Sequence, residues 1–261
     1  MYRRILLLSN PGIPNVNYRP SVLTVQERYR NYFMSPMGGY WDNNDEIMEM
    51  PEGMKDFEQS IWLEETIKNL NLLAEYSIIV FTGHGGAVKN AGKVDECIQL
   101  SSGVLFPIQS LMPKAGKSRT VIIDACRCLI SLNEAEIKKQ ERLFERYYDN
   151  IDGIACRDYY NRLVMEAEPH YELAQSTQFG QEAYATSTGS AFSDALFSTI
   201  MSKDAIWKSA ALGMETGDLS FDLERLIEMS SPKILDYGQV PQFTADSGER
   251  FPFYAVKRAR L

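Results

Sequence analysis

No glycine-, serine- or proline-rich linker and no low-complexity run divides the 261 residues, and no internal repeat is visible. The chain therefore reads as a single domain, 1–261, near the upper size of one α/β unit. Cysteine is sparse: four residues, at positions 97, 126, 128 and 156, are spaced too irregularly for an oxidised framework. With 44% hydrophobic residues, the chain can bury a large core without disulfides or a metal. Long apolar runs are missing as well. The N-terminal region offers only Ile5 to Leu8 after Arg3 and Arg4, too little for a signal peptide, and no stretch approaches the length of a membrane span. A cytoplasmic, reducing location is the expectation. Positive charge is the scarcer sign, with 27 Lys and Arg against 35 Asp and Glu and a net charge of −8. No basic cluster with interleaved aromatics offsets it, which argues against nucleic acid as a direct ligand.

What is present is an alternation of apolar runs with helical patterns. "RILLLSN" (4–10) and "YSIIVFTGHGG" (76–86) read as buried strands ending in turn signals, and between them "IWLEETIKNLNLLAEY" sets Leu63, Ile67, Leu70 and Leu73 at helical spacing. "TVIIDAC" (120–126) adds a strand, "YELAQST" (171–177) a weaker one, and "GSAFSDALFSTIMSK" (189–203) a helix that Ser190 could cap. "FDLERLIEM" reads as a shorter helix and "FPFYAV" as a last strand. The expected fold class is α/β, with a mostly parallel central sheet and helices on both faces. Residues 11–60 are poor in pattern and read as a long, functional or mobile loop.

Ligands of such sheets bind beyond the carboxyl ends of the strands. Two strand ends carry chemistry: "TGHGG", with His84 among glycines, and "DACRC", with Cys126. If the two strands are neighbours, one rim holds both residues. A thiolate that attacks a carbonyl and an imidazole that moves the proton suffice for acyl transfer. The bare backbone at Gly85 can aim its N–H at a developing oxyanion alongside that of Cys126. A phosphate loop fails, because Ala87 and Leu111 stand where the two candidate loops need glycine, and a dinucleotide fingerprint fails at Val88. Zinc held by Cys126, Cys128, Cys156 and His170 is disfavoured by the C-x-C spacing.

An apolar strand ending in "TGHGG", followed some forty residues later by one ending in "DAC", resembles the caspase and metacaspase superfamily of cysteine peptidases. "QSTQFGQEAYATSTGSAFSDALFSTI" is similar to the family's substrate loop and following helix, and "VPQFTADSGERFPFYAV" to the tail of prokaryotic relatives. Only 11–60 and 131–168 stand outside the likeness, as insertion-like segments. The resemblance implies a caspase-like three-layer sandwich and a cysteine endopeptidase with His84 as general acid/base, Cys126 as nucleophile and Gly85 in the oxyanion hole. Cys128 departs from the family, which has glycine there. Asp124 stands where metacaspases place a pocket acid that selects Arg or Lys, and Glu182 joins it as a substrate-binding candidate on the substrate loop. Arg19, after the first strand, falls where caspases place an arginine that selects Asp. Expected partners are a protein substrate, with an activating regulatory protein left open, and neither nucleic acid nor membrane. The resemblance further implies regulated cell death or antiviral defence. A catalytically silent scaffold on the same fold is the rival reading. No cofactor is expected, although calcium, required by some metacaspases, stays undecided at "DNNDE" (42–46).

Overall fold

Apolar runs at Ile5–Leu8, Ile78–Phe81 and Val121–Ile123 form the centres of three strands, β1 (Arg3–Asn10), β3 (Tyr76–Gly83) and β7 (Ser118–Ala125). Runs without alternation belong in strands covered on both faces, and these are. The computed structural model describes residues 1–12, 17–90, 93–100, 104–125, 152–186, 188–202 and 218–257. Within them, β2 (Ile47–Glu49), β8 (Tyr171–Gln175) and β10 (Gln242–Ala245) complete a six-stranded sheet in the order β10-β8-β7-β3-β1-β2. Every pairing is parallel except that of β10 with β8.

Strand alternation sorts the core into two halves. Ile5, Leu7, Ile78, Val80 and Ile122 face one way, against α1 (Ser21–Met34), α3 (Gly153–Glu166), α4 (Ala191–Ile200) and α5 (Leu223–Leu235). Leu6, Leu8, Ile79, Phe81, Val121 and Ile123 face the other, against α2 (Asp56–Leu73), through Leu63, Ile67 and Leu70. The same face carries a small antiparallel sheet of β4 (Gly85–Asn90), β5 (Lys93–Gln99) and β6 (Leu105–Pro107). The result is the three-layer α/β sandwich that the alternating pattern predicts.

Three expectations are corrected. Residues 11–60 are not a patternless loop, because α1 buries Val22, Val25, Tyr29, Tyr32 and Phe33 in the core. Tyr29 meets Phe197 of α4 edge-on at 4.9 Å, and the Tyr32 hydroxyl donates to the Phe253 carbonyl at 2.7 Å. Burial of each such side chain stabilises the fold by about 1.5–3 kcal/mol, so this helix is part of the core. The glycine turn after His84 becomes strand β4. The run "FPFYAV" does form a strand, β11 (Pro252–Lys257), but it pairs with β9 (Asp218–Asp222) in a separate two-stranded sheet.

The acidic 42–46 segment is tied into this frame. Arg3, fully buried on β1, donates Nε to Glu46 at 3.1 Å and other guanidinium N–H groups to Asn161 and to the carbonyls of Gly39 and Tyr40, with its head 4.0 Å above the Trp41 ring. Arg157 of α3 grips the same carboxylate with both terminal nitrogens, at 2.9 and 2.7 Å. Burial opposes the charge on Glu46, but bonds from Arg3, from the Asp42 amide and from Arg157 hold its carboxyl below the usual range. Asp42 accepts the amides of Asn44 and Asp45. These two carboxylates already have donors.

Candidate active site

Parallel pairing of β3 with β7 ends in the partners Thr82↔Asp124 and Gly83↔Ala125. The next residue along the first strand is His84, and the next along the second is Cys126, so both chains leave the sheet at one rim. Cys126, like Cys128, lies outside the described residues, as does most of 131–168. His84 is held by its own backbone: Gln99 of β5 donates its amide to the His84 carbonyl at 2.9 Å. Gly83 has φ +140, and a Cβ there would stand 2.4 Å from the Asn10 carbonyl oxygen, so glycine lets β1 and β3 close up just before the histidine. A Cβ on Gly85 would meet that of Ala125 at 3.0 Å, so the bare backbone also brings β4 against the end of β7.

The His84 ring is half-buried. Burial, followed by the nearby Arg19 guanidinium, lowers its pKa, and a hydrogen bond with the Asn17 backbone partly offsets them. The ring is therefore neutral at neutral pH, the form that can accept a proton. Its Nε2 has no hydrogen-bond partner among the described residues. Arg19 is itself buried, 6% exposed, at the start of α1.

Asp124 is buried on the face of β7 that looks toward α1 and α4. Its Oδ2 accepts the Ser190 hydroxyl at 2.7 Å, while Oδ1 has no partner among the described residues. Burial pushes its carboxyl up to about 7, against the pull of the Ser190 hydrogen bond; Asp194 adds to the rise, and Arg28 opposes it. Ser190 is also the N-cap of α4, accepting the Ser193 amide at 3.0 Å, as the sequence suggests. Glu182 is exposed on the loop after β8, so the two acids named as substrate-binding candidates stand at different depths.

One group at this site escaped sequence reasoning. Asp194, in the first turn of α4, pairs with Arg28 of α1 and accepts the hydroxyls of Thr186 and, at 2.7 Å, Thr188. It thereby fastens the loop that precedes α4. The signal was available in an acid in the first turn of a capped helix, but its partner sits on α1, the helix the pattern concealed. Of the proposed zinc ligands, Cys156 accepts the Lys257 amide at 3.3 Å and His170 stacks on Phe251 at 3.8 Å. Among the described residues no three His, Cys, Asp or Glu side chains cluster for a metal, and no helix is long and apolar enough to cross a membrane.

Comparison with known proteins agrees with this architecture. A family model described as "Caspase domain" matches residues 64–251. Among solved structures, caspase-1 from Spodoptera frugiperda is 17% identical with a TM-score of 0.53, covering 100% of this chain and 91% of that one. A Geobacter sulfurreducens protein from a structural-genomics programme is 14% identical with a TM-score of 0.51, covering 94% of this chain and 93% of the other. At such identities the likeness shows the fold. No curated protein matches.

Proposed function

Because the chain belongs to the caspase-domain family, we propose that it is a cysteine endopeptidase working through His84 and Cys126. The observation that carries this reading is the Gly83↔Ala125 register, which sets the strand residues just before His84 and Cys126 side by side at one rim of the sheet. In the reaction the Cys126 thiol gives its proton to His84, and the thiolate attacks the carbonyl of the scissile bond. The N–H groups of Gly85 and Cys126 receive the oxyanion. His84 then protonates the leaving amine, the acyl-thioester forms, and water hydrolyses it with the same imidazole as base. A neutral resting imidazole, as burial and Arg19 favour, suits the first of these steps.

The residue before the scissile bond is Arg or Lys in this reading, with Asp124 as its charge partner. Its support is Oδ1, a buried acceptor with no partner among the described residues that a cation would satisfy. One observation favours an acidic residue instead: Arg19 is buried and near enough to His84 to bias its titration. A fluorogenic peptide panel varied at that residue, run with and without calcium, separates the two. Regulated cell death or antiviral defence is the setting we propose, on family kinship alone.

Cys126→Ala and His84→Ala should each abolish turnover while far-UV circular dichroism stays unchanged. Full activity in either variant would sink the dyad, whereas an inert wild-type protein would favour the scaffold reading.

A further inference from the structure

Side chains alternate along β7, so Asp124 serves the α1 and α4 face while Ile123 and Ala125 look to the face that carries α2 and the small sheet. On that second face lies a cleft of about 470 Å³, walled by Pro107, Ile108, Leu173 and Phe179 and carrying Asp95 and Glu96. Glu96, Ile108 and Phe179 also line a second, smaller pocket whose wall includes Gly85 and Ala125, at the rim itself. Among the described residues, none that lines either pocket is basic. Gln175 donates to Glu96 Oε2 at 2.8 Å. The other Glu96 oxygen and the Asp95 carboxylate receive no hydrogen bond among the described residues. The cleft thus combines an apolar wall with two carboxylates. That combination suits a long cationic side chain, whose aliphatic stem packs while its head stays charged.

We propose that this cleft binds the substrate chain beyond the scissile bond and selects lysine or arginine there. The inference rests on the protease reading: a peptide that sends the residue before the bond toward Asp124 crosses the rim, and its leaving side meets the opposite face of the sheet. Both faces of β7 then read positive charge, one on each side of the cut.

The test uses the full chain and internally quenched peptides that are identical up to the bond, with Lys, Ala or Glu in the positions after it. A short substrate whose leaving group is a fluorogenic amine serves as the reference. The expected result is turnover of the short substrate together with a Lys-over-Glu preference of roughly tenfold in kcat/KM, the scale of two partly exposed charge contacts. That ratio should fall toward one in the double variant Asp95→Asn, Glu96→Gln. Equal rates for Lys, Ala and Glu while the short substrate is cleaved would overturn the cleft and spare the protease. A preference that survives in the double variant would also overturn it. Failure to cleave the short substrate would defeat the underlying reading instead, and the inference with it.

Discussion

Asp124 concentrates the chemistry of a single residue in this chain. Its carboxyl titrates at about 7 because burial disfavours the charge more than Ser190 and Arg28 restore it. On the proposed specificity a basic substrate requires the ionised form, so kcat/KM for an Arg peptide should fall as pH drops through about 7, and Asp124→Asn should flatten that limb. The same variant should lose about 2–4 kcal/mol of transition-state stabilisation toward Arg and Lys, the cost of removing a desolvated charge partner. Stability should move the opposite way. The folded state holds this proton more tightly than the unfolded chain does, so the contribution is complete below the ordinary carboxylate range and is lost as pH rises through about 7. Thermal melts should show Asp124→Asn more stable than the parent at pH 8 and little different at pH 4. Equal melting temperatures at both would contradict the buried charge.

At the scale of elements, the Arg3–Glu46–Arg157 clamp joins β1, the segment before β2, and α3. Glu46→Gln leaves the fully buried Arg3 without its counter-charge and should cost about 3 kcal/mol, read as a lower urea midpoint. A surface-like loss of a few tenths would mean that water reaches the site. Legibility in the sequence followed the kind of element. Strands β1, β3 and β7 announce themselves because Ile78–Phe81 and its counterparts are uninterrupted apolar runs that only a doubly covered sheet can use. Helix α1 does not, because Arg28, Arg30 and Gln26 interleave with Tyr29, Tyr32 and Phe33, and Pro20 at its start makes no side-chain cap. Strand β4 was hidden by Gly85 and Gly86, residues that signal a turn unless a partner strand supplies hydrogen bonds. The site divides in the same way. His84 and Cys126 each sit beside a distinctive local motif, whereas the Arg28–Asp194 pair joins residues 166 positions apart and has no local signature. The cleft at Asp95 and Glu96 exists only once β5, β6 and β8 are packed together.

For the whole molecule, the question of self-processing is narrowed by where its basic residues fall. Arg157 and Arg162 lie on α3, and Arg157 is bound to Glu46 and the Tyr40 carbonyl, while a protease cleft takes extended chain. Incubation of the active protein beside Cys126→Ala, followed by N-terminal sequencing, should therefore yield no fragment cut after Arg157 under native conditions. Lys138, Lys139, Arg142 and Arg146 lie outside the described residues; a cut there, absent from the mutant, would be true self-processing. The strand order β10-β8-β7-β3-β1-β2 has a consequence in time. From β1 onward, β3, β7, β8 and β10 join the sheet in the order in which they leave the ribosome, each against the strand before it. His84 and the end of β7 are therefore made well before the β8 wall of the cleft or the Ser190 hydroxyl that answers Asp124. At about 5–20 residues per second, several seconds separate them. On the proposed dyad, a nascent chain at that stage carries His84 and Cys126 without the β8 wall or the Ser190 hydroxyl beside which a substrate would be held, so its reactive pair is made before its binding surfaces.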